Sequence, residues 1–286
     1  MQDRNLDDLL SRYGFLIRDL VQRVNDLEKL ERGGAQAEAA ARVFSTYALM
    51  HGARMLLAFN RQPTTNILYL SDLLYAGDTG YIRRGGAERG VEGLFTYGIF
   101  DGVDDFYIGN INHSSYYYSL TIIAWVRFHA DAIGAGSTMG IYTFWRTSTA
   151  ARAFNLRKNA NDKLEFLISN DGTAEYAVES ASAVVADQWY FVAAQFDPNV
   201  ALHVWLSNPA TKRLDKSSNS TGIPAGIVAP VPAGQPEIGA RNSAAGVDTD
   251  YLKGDIGMIW TGGHVAATPE PQIQNAFRVS RPLLGL

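Results

Sequence analysis

The stretch from Asp187 to Asn208 constrains this chain most: two apolar runs, Trp189 to Phe196 and Val200 to Leu206, flank the turn Asp197-Pro198-Asn199. Aromatic and β-branched residues suit a pleated, half-buried surface, and Pro with Asp and Asn ends such a run. In the second run Val200, Leu202, Val204 and Leu206 point one way, while Ala201, His203 and Trp205 point the other. The spacing predicts a hairpin with at least one face buried against another layer. Trp189 opens a run that is apolar on both faces, which places its indole in the core.

Composition narrows what surrounds that hairpin. At 286 residues the chain holds one large sandwich or two smaller units, and 47% hydrophobic with 19% charged residues marks a globular protein. A net charge of −4 argues against nucleic acid or an anionic membrane surface as partner. With no cysteine, disulfides, thiolate metal sites and a Cys nucleophile are excluded. No apolar run approaches the roughly 18 residues of a membrane span, so no membrane insertion is expected. Met1 to Asp8 is acidic and polar where an export signal needs a basic and then an apolar segment. No signal peptide is expected, and synthesis is expected in a cytoplasm.

The first third reads differently from the rest. Asn5 caps a helix running to Arg32, with Asp7 and Asp8 complementing its positive end. Leu10, Ile17 and Val24 fall at a, with Leu6, Tyr13, Leu20 and Leu27 at d. Leu9, Leu16 and Leu30 at g widen the stripe. That width favours self-association, with a homotrimer as first choice, over a helix packed on its own domain. Gly33-Gly34 breaks the helix, and a second is predicted from Ala35 to about Phe59, forming either a helical hairpin or two stacked segments. Residues 1–62 are thus expected as a helical oligomerisation stem, and residues 63–286 as a β-sandwich joined through Gln62-Pro63-Thr64-Thr65.

Within the second part, strands are predicted at Leu94–Ile99, Asp105–Ile108, Leu120–Phe128, Gly140–Arg146, Ala153–Lys158, Leu164–Ser169 and Glu175–Val178. Tyr75 to Glu92, rich in Gly and Arg, reads as a solvated loop, and Pro209 to Gly234 as a long one. Asp250 to Trp260 reads as the last core strand, and Thr268-Pro269-Glu270 as the start of a short helix.

Four stretches, in order, carry a resemblance. They are Phe100-Asp101-Gly102-Val103-Asp104-Asp105-Phe106-Tyr107-Ile108, the strand Ser119 to Val126, the central hairpin, and Ile238-Gly239 followed by Leu252 to Trp260. Together they resemble concanavalin A-like jelly rolls of the laminin G-like type over roughly Ile67 to Arg281. The resemblance implies a mainly β, antiparallel sandwich that serves as a binding or structural scaffold, and fold alone does not set its function. The family's closing Asp-Glu pair is replaced here by Gly257 and Met258, which removes one functional position.

The chemistry follows from what the strands present. Retaining glycosidases on such sandwiches carry Glu-x-Asp-x-x-Glu on one strand, placing carboxyl groups at glycosidic-bond reach. That pattern is absent, and Glu165 and Glu175 stand on separate strands, so the chain reads as non-catalytic. The five histidines show no metal spacing. Carbohydrate recognition uses aromatic faces, for which Tyr116, Tyr117, Trp145 and Trp205 are the candidates; packing inside the sheets is the competing use. No cofactor is required. The resemblance adds calcium at a rim, with Asp101, Asp104 and Asp105, or Asp248 and Asp250, supplying oxygen ligands. Asp101-Gly102 also reads as a plain turn and Asp104 as a strand start.

A helical stem on a lectin-like sandwich, with neither export signal nor cysteine, resembles a phage virion appendage such as a tail fibre or spike. That implies a virion protein released by lysis, whose partners are its own copies, other virion proteins and a cell-surface glycan. A purely architectural or capsid-decorating protein and a glycan hydrolase are the alternative readings.

Overall fold

The computed structural model describes residues 55–58, 69–71, 80–92, 95–109, 118–146, 151–227, 235–244, 247–262, 266–284 and 286. Apart from residues 55–58, the predicted stem, including Leu6, Leu10, Tyr13, Ile17, Leu20, Val24 and Leu27, lies outside the described residues. The strands run in chain order as β1 (Met55–Ala58), β2 (Tyr69–Ser71), β3 (Gly80–Arg84), β4 (Glu88–Glu92), β5 (Phe95–Asp101) and β6 (Phe106–Gly109). Then come β7 (Leu120–Phe128), β8 (Met139–Arg146), β9 (Ala151–Lys158), β10 (Lys163–Ile168), β11 (Tyr176–Ala183) and β12 (Trp189–Asp197). The last are β13 (Ala201–Asn208), β14 (Arg213–Asn219), β15 (Glu237–Ile238), β16 (Arg241–Ala244), β17 (Val247–Thr249) and β18 (Lys253–Gly262). Helix α1 (Glu270–Ser280) and a 3-10 turn, Arg281–Leu284, follow.

Two antiparallel sheets form the sandwich. The first has the order β14-β13-β12-β7-β18-β5-β4, and β1 pairs with the far half of β18. The second has the order β11-β10-β9-β8-β15-β6-β3-β2, while β16 and β17 form a separate ribbon. The predicted central hairpin is β12–β13, with Asn199 in the left-handed region (φ 60°) at its turn.

Alternation decides which side chains meet. Tyr190, Val192, Ala194 and Phe196 join Leu202, Val204 and Leu206 between the sheets, with Ile122, Ala124 and Val126 from β7. Their neighbours Trp189, Phe191, Ala193, Trp205, Ile123 and Trp125 face the other way, together with Met258 and Trp260. An apolar face of that size needs a cover, and α1 supplies it through Ile273, Ala276 and Phe277 at helical spacing. The molecule therefore has three layers, which explains why β12 is buried along both faces. Trp189 is buried as its pattern predicts, at 6% exposure.

Local signals failed where polarity hid pairing. Tyr75 to Glu92 is not a plain loop, because β3 and β4 lie in it as sheet strands. The expected loop after Pro209 carries β14, which extends the hairpin through seven polar-rich residues at the sheet edge. Met55–Ala58, expected to end the second helix, is a strand instead: its backbone completes the hydrogen-bonding edge of β18 from Met258 to Thr261. Helix α1 begins at Glu270 without a side-chain cap, and the Thr268 carbonyl accepts from Gln195 Nε2 at 2.7 Å instead.

Gly239, in the Ile-Gly step, sits at φ +83°, and a Cβ there would lie 2.4 Å from the Phe100 ring. Gly239→Ala combines left-handed strain with overpacking. It should cost about 1–3 kcal/mol, read as a lowered urea midpoint. An unchanged midpoint would mean that Phe100 moves aside freely.

Candidate functional site

At one end of the first sheet the termini of several strands converge: Arg127 stands opposite Trp189, and Asn208 opposite Arg213. The segment Asn208-Pro209-Ala210-Thr211-Lys212 closes the β13–β14 hairpin there. Asn208 Oδ1 accepts from the backbone N–H of Ala210 at 3.0 Å and of Thr211 at 3.2 Å. The Lys212 N–H returns to the Asn208 carbonyl at 2.8 Å, and Lys212 takes a left-handed backbone (φ 55°). Asn followed by Pro favours such a turn, because the amide mimics a backbone acceptor. Helix α1 ends over this corner. Ser280 Oγ accepts from Trp125 Nε1 at 2.9 Å and donates to the Ala276 carbonyl at 2.7 Å.

Arg127 is the post of the site. Its Nε donates to Asp255 Oδ2 at 2.7 Å, and one terminal nitrogen donates to Glu92 Oε2 at 2.7 Å. The guanidinium lies 5.1 Å from the Tyr97 ring and 4.8 Å from that of Trp189, and Trp189 Nε1 donates to the same Glu92 oxygen at 3.2 Å. Five residues from five strands, β4, β5, β7, β12 and β18, thus fix one wall.

Beside that wall is a cavity of about 360 Å³. Trp125, Trp189 and Phe277 form its apolar floor, while Asp187, Gln188, Asn208, Lys212 and Arg281 stand around it. The indoles are 2% and 6% exposed, so they offer edges and not faces. Lys212, Phe277 and Arg281 also line a wider groove of about 950 Å³ between α1 and the β13–β14 turn. An aromatic floor ringed by amide, carboxylate and cationic groups can hold a polar, ring-shaped ligand through hydrogen bonds.

The residues singled out from sequence fall elsewhere. Tyr116 and Tyr117 lie outside the described residues, and their neighbour Tyr118 is 68% exposed. It precedes the end of β7 where Leu120 meets Phe196, opposite to the cavity. Trp145 and Trp205 point away from the inter-sheet core but present no face to solvent, which corrects the exposure expected of them. Trp145 is buried beneath Arg152, and Trp205 lies under α1 with Lys216 Nζ 4.9 Å from its ring. Glu165 pairs with Arg157 at 2.7 Å and Glu175 with Arg152 at 2.8 Å.

Asp101, Asp104 and Asp105 do gather, with carboxylate oxygens within 4.8 Å of one another. Asp101 Oδ1 accepts from the Val103 N–H at 2.8 Å, and the two Asp105 oxygens accept from the N–H groups of Gly86 and Asp101. Burial pushes the Asp105 carboxyl above its usual range. Those acceptors serve the turn. Asp104 and one oxygen of Asp101 remain, fewer than the six to eight ligands calcium takes.

Asp248 and Asp250 stand apart from that trio. Asp250 pairs off-axis with Arg241 Nε at 2.8 Å. Asp248 accepts from Asn242 Nδ2 at 3.1 Å, and Asn242 in turn accepts from Arg146 Nε at 2.9 Å. Asp248 also faces Glu237, which is 1% exposed. Burial first, and then the Asp248 carboxyl, push Glu237 up to about 8.

Sequence reasoning missed Glu92, Arg127, Gln188, Lys212 and Arg281 as one site. The available signal was Arg127, the one charge in the apolar run Leu120–Phe128.

Comparison with known proteins bears on the fold. Residues 100–207 match a laminin G-type model described as the concanavalin A-like lectin/glucanases superfamily. No curated protein matches the chain in sequence. Among solved structures, the receptor-binding domain of botulinum neurotoxin C/D mosaic serotype is similar at a TM-score of 0.54 and 10% identity, over 79% of this chain and 51% of that one. The binding domain of Paraclostridial Mosquitocidal Protein 1 gives 0.55 and 11%, over 79% and 52%. The botulinum neurotoxin serotype D ligand-binding domain, in complex with N-acetylneuraminic acid, gives 0.52 and 11%, over 81% and 52%. The chain spans about half the length of the solved structures it matches. The fold is a concanavalin A-like antiparallel sandwich.

Proposed function

We propose that the chain is a non-catalytic, glycan-binding component of a virion appendage, presented as an oligomer by a helical stem ahead of Met55. The observation that carries the binding reading is the 360 Å³ cavity beside Trp189, with its apolar floor and mixed polar rim, on a lectin-like sandwich. That one similar structure holds N-acetylneuraminic acid agrees with an acidic or amidated sugar as ligand. Glu165 and Glu175 are each tied to an arginine, which supports binding without hydrolysis. The stem rests on the heptad stripe from Leu6 to Leu27, and the virion setting on the pairing of such a stem with a lectin-like sandwich. Clustered copies turn weak contacts into useful avidity.

The test is a glycan array probed with the full chain and with Gln188→Trp, which fills the cavity. The wild type should bind a defined set of glycans, and the variant should lose that set while keeping its fold. Binding to no glycan by an oligomeric wild type would favour the architectural reading. Release of reducing ends would favour the hydrolase.

A further inference from the structure

We infer that the groove between α1 and the β13–β14 turn is a subsite for acidic polysaccharide, continuing from the cavity beside Trp189. The inference rests on the glycan-binding reading and extends it to a chemical class. Four cations line the groove: Lys212, Arg213, Arg278 and Arg281. Among the described residues that line it, the one carboxylate is Glu270, held by Lys216 at 2.8 Å.

None of the four cations makes an ion pair with a described residue. Arg278 donates only to Asn275 Oδ1 at 2.6 Å, and Arg281 reaches the Lys212 carbonyl at 3.5 Å, with its Nε buried and unpartnered. In a chain of net charge −4, four uncompensated cations around one concavity are a local reversal of sign. Concave walls of low dielectric focus that potential, and the cations repel one another until an anion enters. Guanidinium forks match carboxylate and sulfate oxygens in pairs, which suits uronic, sialic or sulfated sugars.

The construction makes the placement firm. Lys212 is presented by the left-handed turn residue, Arg213 by the first position of β14, and Arg278 and Arg281 by the end of α1. The cavity and the groove share Lys212, Phe277 and Arg281, so a glycan of several residues can run from one into the other.

The experiment uses the full chain and immobilised oligosialic acid, chondroitin sulfate and neutral dextran, with polyglutamate and duplex DNA as non-sugar polyanions. Binding to an acidic glycan should weaken roughly tenfold between about 50 mM and about 300 mM salt, as screening shortens. R213A/R278A, both exposed positions, should lose roughly tenfold at the lower salt while its melting temperature stays put. A wild type that binds only neutral sugars overturns the acidic subsite and leaves the glycan reading standing. Binding to no sugar at all overturns both. Equal capture of polyglutamate or DNA would reduce the groove to simple cation exchange and overturn the inference as well.

Discussion

Arg127→Ala should cost about 3–5 kcal/mol of stability, the scale for removing one partner of a buried ion pair. Asp255 is 1% exposed, and its partners are Arg127 Nε at 2.7 Å and His129 Nε2 at 3.3 Å. Without the arginine the carboxylate keeps its desolvation cost and loses its main counter-charge. Glu92 and the rings of Tyr97 and Trp189 lose their common neighbour too. Arg127→Lys keeps the charge but not the fork, so it should fall between wild type and alanine. The decisive comparison is urea unfolding of Arg127→Met against Arg127→Met/Asp255→Asn. The double variant should recover much of the loss, because no orphan charge remains. If it unfolds at the same urea concentration as the single one, the damage is lost packing and not uncompensated charge.

Stability should decline as pH rises from about 4.5 towards 8, and Glu237→Gln should flatten that decline. Glu237 titrates at about 8 in the folded protein against 4.5 ordinarily, because burial and then Asp248 disfavour its charged form. A carboxyl group raised in this way favours folding while protonated. Its contribution is complete below the unfolded value and is lost as pH climbs through the folded one. At about 1.4 kcal/mol per unit, the effect is on the order of several kcal/mol across the window. Asp248, Asn242 and Arg146 are the charged and polar groups facing Glu237. His203, lowered by burial and then by Lys216, works in the opposite sense below 6.5. The lowered carboxyls of Asp131, Asp162, Asp171, Glu179 and Glu270 act at more acid pH. The difference between wild type and Glu237→Gln, followed as melting temperature against pH, therefore isolates one group. A pH-independent difference would mean that Glu237 is ionised when folded.

The β12–β13 hairpin and β7 were legible because their side chains alternate between two apolar environments, a signal that survives without tertiary context. The same alternation put Trp205 on the outer face. It did not reveal the cover, because α1 is separated from that tryptophan by more than sixty residues of chain. Strands β3, β4 and β14 escaped notice for a different reason. Sequences such as Glu-Arg-Gly-Val-Glu and Arg-Leu-Asp-Lys-Ser-Ser-Asn carry no apolar period, and their strand form comes from the partner's backbone. The cavity was the least legible feature. Glu92, Arg127, Gln188, Lys212 and Arg281 acquire meaning only once four sheet strands and a helix end converge. The acid-rich turn at Asp101 to Asp105 was legible at once, and three of its acceptors turn out to serve the turn itself.

The pairing of Met55–Ala58 with β18 changes where this protein can be cut. A fragment beginning after the Pro63 linker removes that strand and leaves four residues of β18, Met258 to Thr261, with an open backbone edge beside buried tryptophan. Such an edge recruits strands from other molecules. Self-association of that fragment would come from the wound and not from any stem, so oligomer measurements on sandwich pieces are interpretable only when the piece starts ahead of Met55.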